Sequence, residues 1–477
     1  MKNKKIIIVG GGPGGLTAGM LLSSKGYDVE IFEKENKVGG RNAYIESKRF
    51  KFDVGPTFLI LKPVLDRIFK ISKENINDYL KFYNLDPMYN LIFKNNSLKI
   101  SNNHTKTKNE IKNKFPGEEK GFLKLLKKEK KRFDVAFPCL EKDYSYFYKL
   151  FNKDLLKFIP KLSFPNSMHT ELGKYFKNED LKMSFTFQSK YLGMSPWDCP
   201  AAFMIIPYIE HNFGIYHVEG GLSEISEAMK KVILKNNGKI HLNTKVKKIE
   251  KEKIILENNK IINADKIIIN ADVGYAMKKL LKTKDLSKKD FSCSTFMLYL
   301  GINKKIDLDF HTVFFSDNYK NFVDKIFKDK NMTDDFSMYV RNASIIDKTI
   351  APKGKSNIYI LIPVPNNKSK INWNKIKKEF RDKIIEKFEL KTKIQIKKHI
   401  ITEHIITPND WEEKYNVFLG ATFNLAHSLN QMLYFRPPNK LNKNTYLVGG
   451  GTNPGSGLPT IYQSGLIVSE LIENEKK

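Results

Sequence analysis

Cysteine is scarce in this chain of 477 residues: Cys139, Cys199 and Cys293 stand far apart. Without a CxxC pair there is no dithiol relay and no cysteine-rich zinc site, and the odd count argues against a secreted disulfide scaffold. The nine histidines form no HExxH or HxH pair, so no metal-ligand set is visible. Arginine is also rare, at seven of 82 basic residues. Readers of phosphate and base edges lean on the arginine fork, so the net charge of +30 does not point to nucleic acid. Solvated surface lysines explain most of it, with an anionic membrane surface as the other reading. No uninterrupted apolar run of about 20 residues occurs, so no spanning helix is expected. Met1–Lys5 and the apolar stretch to Leu22 imitate a signal peptide. Glycines break that stretch and no small-residue cleavage site follows. The expected location is the cytoplasm, peripheral on the inner face of the membrane.

Glycine, by contrast, is abundant in particular places. Ile6–Val9 reads as a buried parallel strand. Gly10-x-Gly12-x-x-Gly15 follows, then a helix over Leu16–Lys25 stopped by Gly26, then a strand over Asp28–Glu33 that ends on an acid. Gly10 permits a tight turn, Gly12 lets the backbone approach a pyrophosphate, and Gly15 lets helix and strand pack closely. The helix start offers free N–H groups to phosphates. Glu33 can accept hydrogen bonds from ribose hydroxyls and disfavours a 2′-phosphate. The full order of strand, glycines, helix, strand and acid specifies a dinucleotide site. Gly39-Gly40-Arg41 lets an extended FAD run close to the backbone and meet a guanidinium. Gly55-Pro56-Thr57 adds a rigid turn near the flavin ring. There is no second GxGxxG, hence no dedicated nicotinamide domain.

The C-terminal end repeats the pattern. Thr445–Val448 reads as a strand, residues 449–459 are rich in glycine, and a helix runs from about Thr460 to Ile472. The start of that helix is placed to stabilise negative charge on a reduced flavin. In the middle, Gly220-Gly221 precedes an amphipathic helix over Leu222–Lys235 and strands over Lys239–Leu242, Lys245–Glu250, Lys253–Leu256 and Lys266–Asn270. This order fits the returning part of an FAD domain, with Val246 beside the adenine and Asn270-Ala271 near the phosphates. The cofactor residues expected are Gly10, Gly12, Pro13, Gly14, Gly15, Glu33, Lys34, Gly39, Gly40, Arg41, Gly55, Pro56, Thr57, Val246, Asn270, Ala271, Gly450, Gly451, Thr452, Gly457, Leu458 and Pro459.

The whole chain resembles the bacterial carotenoid desaturases, the phytoene or diapophytoene desaturase flavoproteins of the amine oxidase superfamily. The strings that carry the resemblance run in order along the chain. They begin with GGGPGGLTAGMLLSSKGYDVEIFEK at 10–34, GGR at 39–41, DVGPT at 53–57 and GIYHVEGGLSEI at 214–225. INADVGYA at 269–276, ITPNDWEEKYN at 406–416, LYFRPPN at 433–439 and YLVGGGTNPGSGLPTIYQSG at 446–465 complete them. The N-terminal strings are shared with many FAD amine oxidases; the last, with FRP upstream, is far more specific. The chain departs from the family at Asn453 and Pro438, where histidine is usual.

The resemblance implies FAD-dependent desaturation of a linear isoprenoid, with hydride passing from an allylic C–H to flavin and oxygen or a quinone as final acceptor. It also implies that Tyr191–Pro196 cap a substrate tunnel. No catalytic residue is assigned; Asp198, Glu210 and His217 are proton acceptors by position only. Other readings on the same scaffold are a carotenoid isomerase, a terminal-methyl oxidase, a retinoid saturase or an amine oxidase. A lipid carrier with structural FAD is the reading from a different class.

The expected architecture is α/β: a discontinuous Rossmann-like FAD-binding domain, an inserted α+β substrate domain and a helical membrane-associated part. Residues 1–75, 214–282 and 439–477 form the FAD-binding domain. Residues 76–213 form the helical region, and residues 283–438 supply a sheet that floors the cavity. Strands over Phe296–Leu300 and Tyr359–Val364 are expected in that sheet, with the cavity-facing side undecided. Residues 121–162 interleave lysines with Phe147, Phe151, Leu155 and Phe158, which suits an interfacial helix or an ordinary amphipathic one. The Asn- and Lys-rich stretch 95–114 reads as solvated loops or short strands.

Overall fold

The computed structural model describes residues 4–475. Residues 1–3 of the basic leader lie outside the described part. β1 (Lys5–Val9), β2 (Asp28–Phe32), β3 (Lys239–His241), β4 (Lys266–Ile269) and β5 (Thr445–Leu447) form one sheet in the order β5-β4-β1-β2-β3. Every neighbouring pair is parallel. β1 is buried on both faces: Ile6 and Ile8 join one core, Ile7 and Val9 another. This is why its sequence is an unbroken apolar run.

Three helices cover the first face: α1 (Pro13–Ser24), α2 (Ser223–Lys235) and α3 (Leu458–Asn474). α1 packs between the other two. It begins at Pro13 and α3 at Leu458, each earlier than the apolar pattern suggests. A proline in the first turn of each explains the difference, since no intrahelical N–H is lost there. A three-stranded antiparallel piece, Val246–Glu250, Lys253–Leu256 and Ile261–Asn263, contributes Val246, Ile249, Ile254 and Leu256 to the second core.

A seven-stranded mixed sheet forms the other layer. Its strands run in the order Ile400–Ile406, Ser294–Ile302, Ser356–Val364, Met338–Asn342, His311–Phe314, Tyr89–Ile92, Ser97–Ile100. Phe296 packs against Trp373 and Phe380 of the helix Trp373–Thr392. Met297 and Tyr299 face the opposite way, toward Phe52 and Tyr359.

Two segments differ from the sequence reading. Residues 76–213 are not purely helical: they give the last two strands of this sheet, where Tyr89, Leu91, Leu98 and Ile100 alternate with less buried residues. Within 95–114 a helix spans His104–Lys114. Asn103 caps it by accepting from the Thr105 and Lys106 N–H groups, and Thr107 and Ile111 are buried four residues apart.

The long helix Glu119–Leu140 is amphipathic and inward-facing through Phe122, Leu125, Leu126 and Phe133. Arg132, which follows Lys130 and Lys131 in sequence, is buried and donates to Glu129, Ser163 and two backbone carbonyls. Among the described residues no helix is long and apolar enough to cross a membrane.

Candidate active site

The two sheets enclose a cavity of about 930 Å³. It opens at the C-terminal ends of β1, β2 and β4, where successive connections leave the parallel sheet in opposite directions. That is where open α/β sheets bind ligands. Of the cofactor residues expected from sequence, all but Gly14, Gly15, Gly39 and Thr452 border this cavity.

The glycine loop is shaped by the protein before any ligand arrives. Gly10 has φ +100°, and a Cβ there would stand 2.8 Å from the Asn270 carbonyl oxygen. A Cβ on Gly12 would stand 2.9 Å from Asn270 Nδ2, and one on Gly15 2.5 Å from the Gly10 oxygen. At Gly14 it would approach the Gly449 nitrogen to 3.1 Å, so the two glycine-rich segments touch although they lie at opposite ends of the chain. Neither α1 nor α3 carries a side-chain N-cap or an acid in its first turn. Both uncapped, electropositive starts border the cavity.

Glu33 lines the same cavity and is buried. Its Oε2 accepts from the Gly11 N–H at 2.7 Å and its Oε1 from the Glu35 N–H at 2.9 Å. Burial pushes its carboxyl above the usual range, against those two N–H bonds. Each oxygen retains a lone pair for a hydroxyl donor. Arg41 donates to the Thr422 carbonyl at 2.5 Å, and Asp272 accepts from Asn424 Nδ2 at 2.6 Å. Burial lowers the guanidinium and raises the carboxyl, while the charge of each opposes the other's shift. Donors at two helix starts, a cation and an acceptor-only carboxylate suit an anionic ligand flanked by hydroxyl groups.

The turn Gly55-Pro56-Thr57 is fastened to the seven-stranded sheet. Tyr359 Oη donates to the Gly55 carbonyl at 2.7 Å, and the Thr57 and Tyr339 hydroxyls are 2.7 Å apart. Tyr339 Oη also lies 2.7 Å from His311 Nδ1. Thr295 and Met297 from one strand, and Tyr359, Leu361 and Pro363 from its neighbour, border the cavity. This settles which face of the sheet lines it.

A family model for flavin containing amine oxidoreductases matches residues 13–472. A 4,4'-diapophytoene desaturase (4,4'-diapolycopene-forming) of Methylomonas sp is 44% identical over 490 residues, covering 99% of this chain and 96% of the relative. The chain belongs to the carotenoid desaturases within the flavin containing amine oxidoreductases. A 4,4'-diapolycopen-4-al dehydrogenase of Metabacillus indicus is 32% identical, covering 99% of this chain and 98% of the relative. The fold is that of a solved oxidoreductase from Methanosarcina mazei, with a TM-score of 0.65 at 18% identity, covering 98% of this chain and all of that one.

Within this family the departures at Asn453 and Pro438 fall away from the cavity, which neither residue borders. Asn453 is buried and donates to the Leu433 carbonyl at 3.0 Å. Arg436 of the FRP string is buried as well. It donates to the Gly450 and Thr452 carbonyls at 2.7 and 3.1 Å, and so holds the glycine-rich segment in shape. His427, which sequence reasoning passed over, accepts from the Ser456 N–H at 3.1 Å.

None of the three positional proton acceptors borders the cavity. Asp198 is exposed. His217 is buried between Asp347 at 2.9 Å and Arg341 at 3.2 Å, and Arg341 in turn meets Asp53 at 2.8 Å. Glu210 is buried among Gln188 and Tyr89. Cavity groups that the sequence reading did not single out include Lys190, Tyr339 and His404, which belong to no recognisable spacing, and Asp272, which directly follows the expected Asn270-Ala271 pair.

Proposed function

We propose that this desaturase-family oxidoreductase binds FAD in the cavity and dehydrogenates a linear carotenoid precursor such as diapophytoene or phytoene. The observation that carries the reading is the meeting of Gly14 and Gly449, which brings two uncapped helix starts to one ligand site. FAD bound there supplies a two-electron oxidant able to accept a hydride from an allylic C–H. The start of α1 at Gly12 and Pro13 turns its electropositive end and the close-lying Gly12 backbone to the pyrophosphate, Glu33 accepts from the ribose hydroxyls, and the start of α3 stabilises negative charge. Phe58, Phe187, Met297, Val313 and Leu361 exclude water and align the polyene. Residues 1–75, 214–282 and 439–477 act as the FAD-binding domain, a reading supported by the five strands they supply to one sheet. Oxygen or a membrane quinone is the final electron acceptor.

The same reading places the protein on an anionic membrane, from which so apolar a substrate is drawn. Phe147, Tyr148, Phe151, Leu156, Ile159 and Phe164 are all exposed. Phe147 packs edge-on against exposed Tyr434 at 5.5 Å, joining two segments into one patch. Lys153, Lys157 and Lys161 are exposed beside it, whereas Lys149 is paired with Asp143. Lysine beside exposed aromatic residues is the composition of an interfacial contact.

The test is reconstitution with FAD and diapophytoene in liposomes. New long-wavelength polyene bands are expected, and their absence refutes the reading. The dehydrogenase relative favours terminal oxidation as a second reading, and oxygen gained in the product mass would establish it.

A further inference from the structure

Dehydrogenation of a hydrocarbon chain removes two hydrogens, and only one leaves as hydride. The other leaves as a proton from the carbon next to the allylic cation. The structure contains a connected route for that proton. Tyr191 borders the cavity beside Phe58 and Phe187. Its hydroxyl lies 3.1 Å from the Tyr89 hydroxyl. Tyr89 donates to Glu210 Oε1 at 2.8 Å, and Gln188 donates to Glu210 Oε2 at 2.9 Å.

The direction of this chain follows from proton counting. Tyr89 has one hydroxyl hydrogen, and while Glu210 is ionised, and so acceptor-only, that hydrogen is given to it. The Tyr191–Tyr89 contact is therefore made by the Tyr191 hydrogen. In this ionised state every proton in the line points away from the cavity and toward the carboxylate. The outer lone pair of Tyr191 is left as the acceptor end.

Glu210 is only 1% exposed. The groups facing it are Gln188, Tyr89 and Tyr191, and no Lys or Arg among the described residues pairs with it. A buried carboxylate without a counter-ion costs several kcal/mol, and packing alone gives no reason to keep one where a neutral amide would fit. Burial pushes its carboxyl up to about 7, against the hydrogen bonds it accepts. At neutral pH it can gain a proton and return it. Lys190 borders the same wall, but it lies over the rings of Phe315, Tyr319 and Phe322 at 5.0–5.9 Å, and among the described residues no side-chain hydrogen bond of its ammonium leads inward.

We propose that Tyr191 is a catalytic residue that takes the proton from the substrate cation, with Tyr89 and Glu210 as positioning residues that carry it inward. The C–H bond breaks and its electron pair becomes the new C=C π bond. A new O–H bond forms on Tyr191 while its own proton passes to Tyr89 and the Tyr89 proton to Glu210. The inference rests on the desaturase reading, in which FAD held in the cavity would supply the acceptor for the hydride and its two electrons.

Two readouts test it in Y191F, Y89F and E210Q, with K190M as the competing base. First, the protein as isolated is titrated in the infrared. A protonated-carboxyl band that E210Q removes is expected to grow as pH falls through about 7 and to shift in Y89F and Y191F. A band that does not move in Y191F overturns the connection. Second, single-turnover product formation is expected to fall about 10²-fold in Y191F and E210Q, with flavin retained. Unchanged turnover in both, or loss in K190M instead, overturns the relay. If E210Q does not fold, Y191F decides by the same two measurements. Wild-type protein that makes no polyene refutes the desaturase reading itself, and is thus distinguishable from failure of the relay.

Discussion

Asn270 donates from Nδ2 to the Gly10 carbonyl at 3.1 Å, although 260 residues separate them. The same amide fills the space where a Gly12 side chain would stand. The glycine loop is thus moulded on β4 as much as on its own turn. Gly15→Ala should force a methyl group to within 2.5 Å of the Gly10 oxygen, a backbone atom with no freedom to yield. The expected outcome is a destabilisation of about 1–3 kcal/mol and loss of bound flavin. Thermal melting and visible absorbance of the purified variant check it.

Glu33 makes a sharper prediction because its backbone partners are both donors. In Glu33→Gln one of them, Gly11 or Glu35, must face an amide N–H instead of an oxygen. One acceptor for the ribose is lost with it. FAD affinity should fall about 10- to 10²-fold, corresponding to charged hydrogen bonds of about 1.5–3 kcal/mol. A fluorescence titration of flavin measures this. Unaltered affinity would remove Glu33 from the proposed site.

The parts legible in the sequence are those where backbone geometry demands a residue type. Gly10 and Gly12, and the acid at Glu33, mark the cavity wall by spacing alone, and Gly15 marks the close packing of the turn behind it. The Tyr191–Tyr89–Glu210 line carries no spacing at all: Tyr89 and Tyr191 are 102 residues apart and meet only because a strand of the large sheet packs under a short turn. Composition misleads in two places. The Lys-rich stretch 104–114 hides a helix because its buried side is only Thr107 and Ile111. Arg132 sits in a run of lysines yet points inward, because Glu129 one turn earlier on the same helix pairs with it at 2.8 Å.

Glu171 gives a prediction about acid stability. Its buried carboxylate accepts from Lys174 and Asn166 at 2.8 Å each and pairs with Lys128 of the long helix. Burial pushes its carboxyl up, but the lysines and Asn166 outweigh this and bring it from 4.5 to about 2. The folded value lies below the unfolded one. The stabilisation is therefore fully present above about 4.5 and is lost as pH falls toward 2. Glu171→Gln should cost about 2 kcal/mol at pH 7 and progressively less below pH 4.5. Urea unfolding of both proteins across that range checks it, and a penalty independent of pH would contradict the assignment.

The exposed patch around Phe151 and Phe164, which are 72% and 75% exposed, separates charge from apolar insertion as sources of membrane binding. Lysine near an anionic surface contributes about 1 kcal/mol each. Replacing Lys153, Lys157 and Lys161 by Glu should weaken binding to vesicles of phosphatidylcholine and phosphatidylglycerol by at least about 10²-fold, the effect of losing about 3 kcal/mol. That loss should shrink as salt is raised, because these side chains are solvated and screened. Phe151→Ser with Phe164→Ser should instead weaken binding at every salt concentration, since the apolar contribution is not screened. Flavin content should be unaffected in both, because neither set of residues borders the cavity. Flotation that is unchanged in both variants would show that this patch does not meet the bilayer.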